Sequence, residues 1–286
     1  MLVRTLPERG VLRIGDRAIT WGERTIVMGI VNVTPDSFSG DGRQDAASAV
    51  NYAVAQWQSG ADIIDIGGES TRPGHEPIDE ATEIARIVPV IAAVRARIPH
   101  AIVSIDTYKP KVARAAREAG ADMINSVWGA PDALIDVAVE LAMPLAAMHN
   151  QHGTSYAIDV VDAVRSFLDD CARRATRRGL PAHAIVLDPG IGFGKTPEHN
   201  IRILRCLKAV CDLGFPTMLG TSRKSTIGKL THREPHERIY GTAATTALAI
   251  AAGIDIVRVH DVAQNRDVVS VSDAIVRGWR PCGWTG

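Results

Sequence analysis

Several things are scarce in this chain, and each absence removes a class of function. The four cysteines, at positions 171, 206, 211 and 282, show no CxxC spacing and are too sparse for a disulfide framework. They are expected as small packing residues in a reducing, cytoplasmic setting. Lys plus Arg equals Asp plus Glu at 32 each, which leaves no global field to recruit nucleic acid or an anionic membrane. An anionic substrate must therefore be held by local cations. No window reaches the ~18 uninterrupted apolar residues of a membrane span, and the opening MLVRTLPERG lacks the apolar stretch of a secretory signal. HExxH and HxH are missing, which argues against a zincin or a barrel amidohydrolase. His149 and His152, one at a strand end and one in a loop, make a poor ligand pair.

What is present is a core. The chain has 286 residues, 46% hydrophobic and 22% charged, enough apolar side chain for one large domain of the size of a (β/α)₈ barrel, commonly ~250 residues. Eight apolar runs end on a polar side chain: Asn32, Asp65, Asp106, Asn125, His149, Asp188, Lys224 and His260. Parallel strands buried on both faces read as continuous hydrophobics, and their carboxyl ends open into the loops that carry chemistry. Strands are expected at about 25–32, 61–67, 101–106, 121–127, 144–149, 184–189, 216–221 and 254–260. Helical patterns fall between them at 45–59, 79–97, 109–119, 131–142, 159–178, 196–213, 235–252 and 261–277. Eight alternations predict a closed TIM barrel, one domain over 1–286. Residues 11–22, with Gly15-Asp16 at the turn, predict a β-hairpin, so that 1–24 closes the barrel bottom. Gly60, Gly120, Gly179, Gly214 and Gly253 stand where left-handed residues end helices.

Three segments could carry chemistry. The loops at 32–45 and 67–79 are rich in Gly, Pro, Ser and Asp and lie where a barrel carries lids. In Asp188-Pro-Gly-Ile-Gly-Phe-Gly-Lys195-Thr196 the last three residues match the end of a Walker pattern, but Pro189 stands in place of its first glycine. A dinucleotide fingerprint fails at Lys195. The glycines instead admit a flat ligand close to the backbone, with Asp188 below it and Phe193 beside it. A buried Asp at a strand end suits a ring with paired N–H donors, as an amino-pyrimidinone has, and Asn125 and Asp106 could add bonds. Asp106 could instead cap the helix that follows. Gly220-Thr-Ser222-Arg-Lys224-Ser225 gathers a hydroxyl, a guanidinium and an ammonium where barrels often bind anions, and Arg258 and His260 alternate onto one face of the last strand. These cations suggest an oxyanion pocket. Asn32 could add an oxygen ligand to a hard cation bridging phosphates.

With those residues laid out, the chain resembles the dihydropteroate synthase family. The strings MGIVNVTPDSFSGDG (28–42), ADIIDIGGESTRPG (61–74), VSIDTYK (103–109), VLDPGIGFGKTPEHN (186–200), GTSRKS (220–225) and VRVHDV (257–262) resemble the family's motifs in order and spacing over nearly the whole chain. The resemblance implies condensation of 6-hydroxymethyl-7,8-dihydropterin diphosphate with p-aminobenzoate, in folate biosynthesis, by a dissociative route through a pterin cation. It implies that Asp106, Asn125 and Asp188 bond the pterin, Met148 packs near it and Lys224 reaches its carbonyl and N5 side. Arg258, His260 and Asn32 would hold the diphosphate, Asn32 partly through Mg²⁺. Thr71, Arg72, Pro73, Phe193, Gly220 and Ser222 would line the substrate site, and Asp106, Lys224, Arg258 and His260 would be catalytic. It further implies a homodimer through outer helices. The chain departs from the family at Ser126, Trp128 and Thr226, and in a short first loop; the family includes sulfonamide-insensitive members. A pterin-binding methyltransferase barrel shares the Asp, Asn and Asp grip but has no use for a diphosphate pocket. A catalytically silent pterin binder is the other alternative.

Overall fold

A computed structural model describes residues 9–34, 46–70 and 76–285. The hairpin comes first, β1 (Val11–Ile14) paired antiparallel with β2 (Arg17–Thr20). Eight parallel strands follow: β3 (Ile26–Asn32), β4 (Ile63–Gly67), β5 (Ile102–Asp106), β6 (Met123–Ser126), β7 (Leu145–Met148), β8 (Ile185–Asp188), β9 (Met218–Leu219) and β10 (Ile256–Val259). Their sheet order is β8-β7-β6-β5-β4-β3-β10-β9. A parallel bridge between Leu187 and Thr217 joins the two ends, with the Leu187 N–H donating to Pro216 O at 2.8 Å. The sheet is thereby closed into the predicted barrel.

The helices are α1 (Ala46–Gln58), α2 (Glu80–Arg97), α3 (Pro110–Glu118), α4 (Asp132–Glu140), α5 (Val160–Arg177), α6 (Pro197–Arg205), α7 (Leu207–Cys211), α8 (Ser225–Thr231), α9 (Ile239–Ala252) and α10 (Val262–Val276). Two depart from the expected pattern. The helix expected over 196–213 breaks at Cys206 (φ −115°, ψ 20°), whose N–H turns back to Ile203 O at 2.9 Å. The buried positions Ile203, Leu207, Val210 and Cys211 keep helical spacing across that break, which hides it from periodicity. The Lys224 turn also runs straight into α8, which ends on left-handed His232 (φ 56°), and the next long helix starts at Ile239 rather than 235. The five glycines expected to end helices all take φ between 87° and 110°.

Strands β3 to β8 are buried on both faces, as a barrel between a packed interior and a ring of helices requires. From the hairpin, Leu12, Ile14 and Ile19 join this core along with Trp21. The Arg17 guanidinium donates to His100 O and Asp122, and the Trp21 indole N–H donates to His183 O at 2.9 Å. All three partners precede barrel strands. The hairpin therefore sits at the amino-terminal end, opposite the mouth.

Candidate active site

Side chains from four barrel strands form one hydrogen-bonded cluster around a single guanidinium. Arg258, from β10, donates through Nε to Asp65 Oδ2 on β4 at 2.7 Å and through Nη2 to Asp106 Oδ2 on β5 at 2.7 Å. Asn125, from β6, donates through Nδ2 to the same Asp65 oxygen at 3.0 Å. Asp65, Asp106, Asn125 and Asp188 are all buried. Among the described residues, Asp65 Oδ1 and Asp106 Oδ1 have no hydrogen-bond partner. A buried acceptor without a donor costs roughly 1–3 kcal/mol, so Asp106 is set to accept a ligand N–H. It is not a helix cap: the N-cap residue of α3 is Lys109, and no side chain caps the helix there.

Burial dominates the electrostatics. It pushes the Asp106 carboxyl up to about 7, with Arg258 pulling it down and Asp65 pushing it further up. Burial likewise lifts Asp188 to about 6, against the Gly190 N–H and the Lys224 and Arg258 cations. Burial works against the Arg258 cation too, yet the Asp65 and Asp106 carboxylates outweigh it and hold the proton firmly.

The loop after β8 forms one wall. Asp188 Oδ1 accepts the Gly190 N–H at 2.7 Å. Gly190 has φ +69°, and a Cβ there would lie 2.0 Å from His149 O, so only glycine fits. The Lys224 ammonium stands 3.9 Å above the centre of the Phe193 ring, a cation–π contact. A Cβ on Gly220 would lie 3.8 Å from Arg258 Cβ and 4.0 Å from Asp188 Oδ2, which puts that glycine between the two. Met148 is buried and pairs in register with Asp188. His260 lies past the end of β10; its backbone N–H donates to Ser222 Oγ at 3.1 Å, and that oxygen is 2.9 Å from its Nδ1. Asn32 ends β3 opposite Gly67. Thr71, Arg72 and Pro73, with residues 35–45 of the first predicted lid loop and 71–75 of the second, lie outside the described residues.

Chemically, the mouth offers acceptors for a flat ring bearing N–H groups on one side and cations for an anion on the other. Residues 28–260 match the pterin binding enzyme family. A dihydropteroate synthase of Clostridium beijerinckii is 45% identical over 272 residues, 93% of this chain and 100% of that protein. A solved Clostridium difficile dihydropteroate synthase, crystallised in the presence of pteroic acid, superposes with a TM-score of 0.86 at 45% identity, covering 91% of this chain and 99% of its own. The Xanthomonas albilineans enzyme with 4-aminobenzoic acid gives 0.86 at 41%, covering 93% and 97%.

The chain belongs to the dihydropteroate synthase family.

Within this synthase fold, the predicted residues Asp106, Asn125, Met148, Asp188, Phe193, Gly220, Ser222, Lys224, Arg258 and His260 lie at one end of the barrel. Two of the cations expected in an oxyanion pocket have carboxylate partners. Arg258 is matched by two carboxylates, and the Arg223 guanidinium is taken by Asp261 at 3.0 and 2.6 Å. Three features escaped the sequence reading. Asp65 is the hub of the Arg258 and Asn125 contacts, although its side chain was only one polar strand end among eight. Lys195 turns inward to His149. The Lys109 ammonium is buried between Glu69 and Glu83 and donates to Ile78 O at 2.6 Å. The Ile78 N–H and the Tyr108 hydroxyl donate to Glu69 at 3.2 and 3.0 Å, tying residue 69 to residue 78 across the second loop.

Trp128, the departure nearest the predicted pterin floor, lies with its ring centre 4.8 Å from that of His152. Two of the four free cysteines, Cys171 and Cys211, are buried packing residues as expected. Cys206 is half-buried, and Cys282 is exposed.

Proposed function

We propose that this chain condenses 6-hydroxymethyl-7,8-dihydropterin diphosphate with p-aminobenzoate, giving 7,8-dihydropteroate and diphosphate. The observation that carries the assignment is the buried Asp106, Asn125 and Asp188 array set against Lys224 and Arg258 at the mouth of the barrel. Asp106, Asn125 and Asp188 bond the pterin's N–H and carbonyl edge, Met148 packs on its face, and Lys224 addresses its carbonyl and N5 side. Departure of diphosphate leaves a cation spread over the pterin. The ionised Asp106 and Asp188 stabilise that charge, because preorganised dipoles and charges in a dry site act most strongly where charge develops. Arg258 and His260 hold the leaving anion. The neutral arylamine then attacks the exocyclic methylene and needs no strong base, so no catalytic triad is required. Thr71, Arg72 and Pro73 frame the aminobenzoate together with Phe193 and Ser222, and Gly220 lets the ligand approach the backbone. Water must be kept from the site while the cation lives.

Among the described residues, no group of three or more His, Cys, Asp or Glu could hold a metal. Mg²⁺ dehydrates reluctantly and takes one or two protein oxygens plus substrate phosphates. Asn32 would supply such an oxygen, and the ion would neutralise charge on the diphosphate. No helix among the described residues is long and apolar enough to cross a membrane. We place the chain in the cytoplasm as one domain, with the hairpin of β1 and β2 closing the barrel bottom; residues 1–8 of that expected segment lie outside the described residues. It acts as a homodimer through the outer faces of α9 and α10, where Tyr240, Leu248, Val271 and Ile275 are exposed. Diphosphate release on mixing both substrates with Mg²⁺ tests the reaction. Undetectable release from folded protein that still binds the pterin diphosphate would favour a silent binder, and light scattering at a monomer mass would remove the dimer.

A further inference from the structure

We propose that Lys195 is a positioning residue for pterin binding: its buried ammonium holds the loop after β8 in the shape that presents Asp188 and Gly190 to the ring. The inference rests on the synthase reading above. Lys195 occupies the lysine position of the string that mimics the end of a Walker loop, but its side chain does not reach for phosphate. It is 7% exposed and turns into the protein. There it donates to Gly190 O at 3.0 Å, Phe193 O at 2.9 Å and His149 O at 3.3 Å, and meets His149 Nδ1 at 2.8 Å. Thr196, the next residue, caps α6 by accepting the His199 N–H at 3.2 Å. Neither residue of the pair is left for a nucleotide.

The loop has little conformational preference of its own. Gly190, Gly192 and Gly194 all have positive φ, at 69°, 85° and 59°, and glycines lose more freedom on ordering than any other residue. Something must offset that loss. The Lys195 ammonium does so by gathering three carbonyls, those of His149, Gly190 and Phe193; the Gly190 oxygen also accepts the Phe193 N–H at 3.2 Å. Burial pushes His149 down to about 3, so the ring is neutral, and its Nδ1 shares a Lys195 N–H with the His149 carbonyl at 3.3 Å. The His149 N–H donates in turn to Asp188 O at 2.9 Å, and the Tyr156 hydroxyl donates to Gly194 O at 2.8 Å. Lys195 and His149 together thus grip the loop from its buried side. The face they shape is the one where the Gly190 N–H meets Asp188.

The test compares two half-sites by calorimetry on the full chain. One probe is neutral 6-hydroxymethyl-7,8-dihydropterin, which needs the β8 loop. The other is inorganic diphosphate with Mg²⁺, whose proposed contacts come from β3 and β10. Lys195→Met is expected to weaken the pterin by about tenfold, the scale expected of small misplacements of a binding group, and the diphosphate by at most about threefold. If Lys195→Met does not fold by circular dichroism, His149→Leu decides. It removes one acceptor and is expected to weaken the pterin by about threefold, in line with one hydrogen bond, without touching diphosphate. Equal losses for both probes, or unchanged pterin affinity in a folded variant, overturn the role. A wild-type chain that binds neither pterin nor its diphosphate overturns the synthase reading and this one with it.

Discussion

Replacing Asp65 by Asn should move the acid limb of activity to lower pH. In the wild type, the Asp65 and Asp106 carboxylates sit on one guanidinium, each 2.7 Å from a different nitrogen of Arg258. That arrangement sets the two carboxylates about 5 Å apart, where like charges at an effective dielectric near 20 repel by roughly 3 kcal/mol, about 2 pKa units. Asp65 is one reason Asp106 is raised to about 7, after burial. With Asn at 65 the repulsion disappears and Arg258 is left to Asp106 alone. Asp106 then ionises below Asp188, which is raised to about 6, and Asp188 becomes the group that limits activity. In the proposed reaction both carboxylates must be ionised, so kcat/KM for the pterin diphosphate should fall off below about 7 in the wild type and only below about 6 in the variant. Its plateau should drop roughly tenfold, because the charge-assisted anchor of Arg258 becomes a neutral hydrogen bond. The same shift has a signature in stability. A carboxyl raised in the folded state binds a proton there that the unfolded chain has already lost. Its contribution to stability is therefore present below the unfolded value, near 4, and is lost as pH rises towards 7. Denaturation midpoints across that window should decline less steeply in the variant. An acid limb that stays in place, or moves upward, would refute the proposed coupling between Asp65 and Asp106.

Asp188→Ala should abolish measurable pterin binding in calorimetry, through loss of charge-assisted bonds worth about 1.5–3 kcal/mol each; unchanged affinity would contradict its role. Lys109→Met should destabilise the fold by about 3–5 kcal/mol in denaturant titration, because it strands the Glu69 and Glu83 carboxylates without their cation; a loss under about 1 kcal/mol would mean the cluster is hydrated, as in an exposed ion pair. Gly190→Ala, with a Cβ driven to 2.0 Å from His149 O at φ +69°, should abolish pterin binding while leaving the far-ultraviolet spectrum of the barrel unchanged. Retained pterin affinity would show that the loop can move aside.

The barrel was legible because its physics is local. Strands buried on both faces must read as apolar runs, and their exits must be polar, so Asn125, Asp188 and the other endings could be placed without a structure. The break at Cys206 was not legible, since the apolar spacing from Ile203 to Cys211 continues through it. The pairing inside the mouth was hidden for another reason. Asp65 and Arg258 are 193 residues apart, and Asp106 and Arg258 152. A sequence shows which charges exist but not which ones barrel closure brings together. Arg258 thus looked like a free phosphate ligand until β10 was placed two strands from β4, across β3. Lys195 failed differently. Its residue type and neighbours were read correctly, but a motif does not tell whether a lysine faces the mouth or the loop behind it.

That pairing bears on how an anion can bind at all. Ionised Asp65, Asp106 and Asp188 supply three negative charges around the mouth. Arg258 and Lys224 supply two positive ones, and Lys195, lowered by burial to about 7, brings the sum at most to zero. An anion approaching such a site gains little from the protein's fixed charge, and Arg258 can turn to it only by sharing a guanidinium already held by two carboxylates. Positive charge must therefore arrive with the ligand, which is what a Mg²⁺ bridging diphosphate and Asn32 would provide. Inorganic diphosphate should accordingly bind at least about tenfold more weakly after EDTA treatment than with Mg²⁺, a difference of roughly 1.4 kcal/mol. The neutral dihydropterin should bind equally well in both conditions. Metal-independent binding of diphosphate would mean that Arg258 leaves Asp65 and Asp106 at little cost, and that the carboxylates do not hold it as tightly as their burial implies.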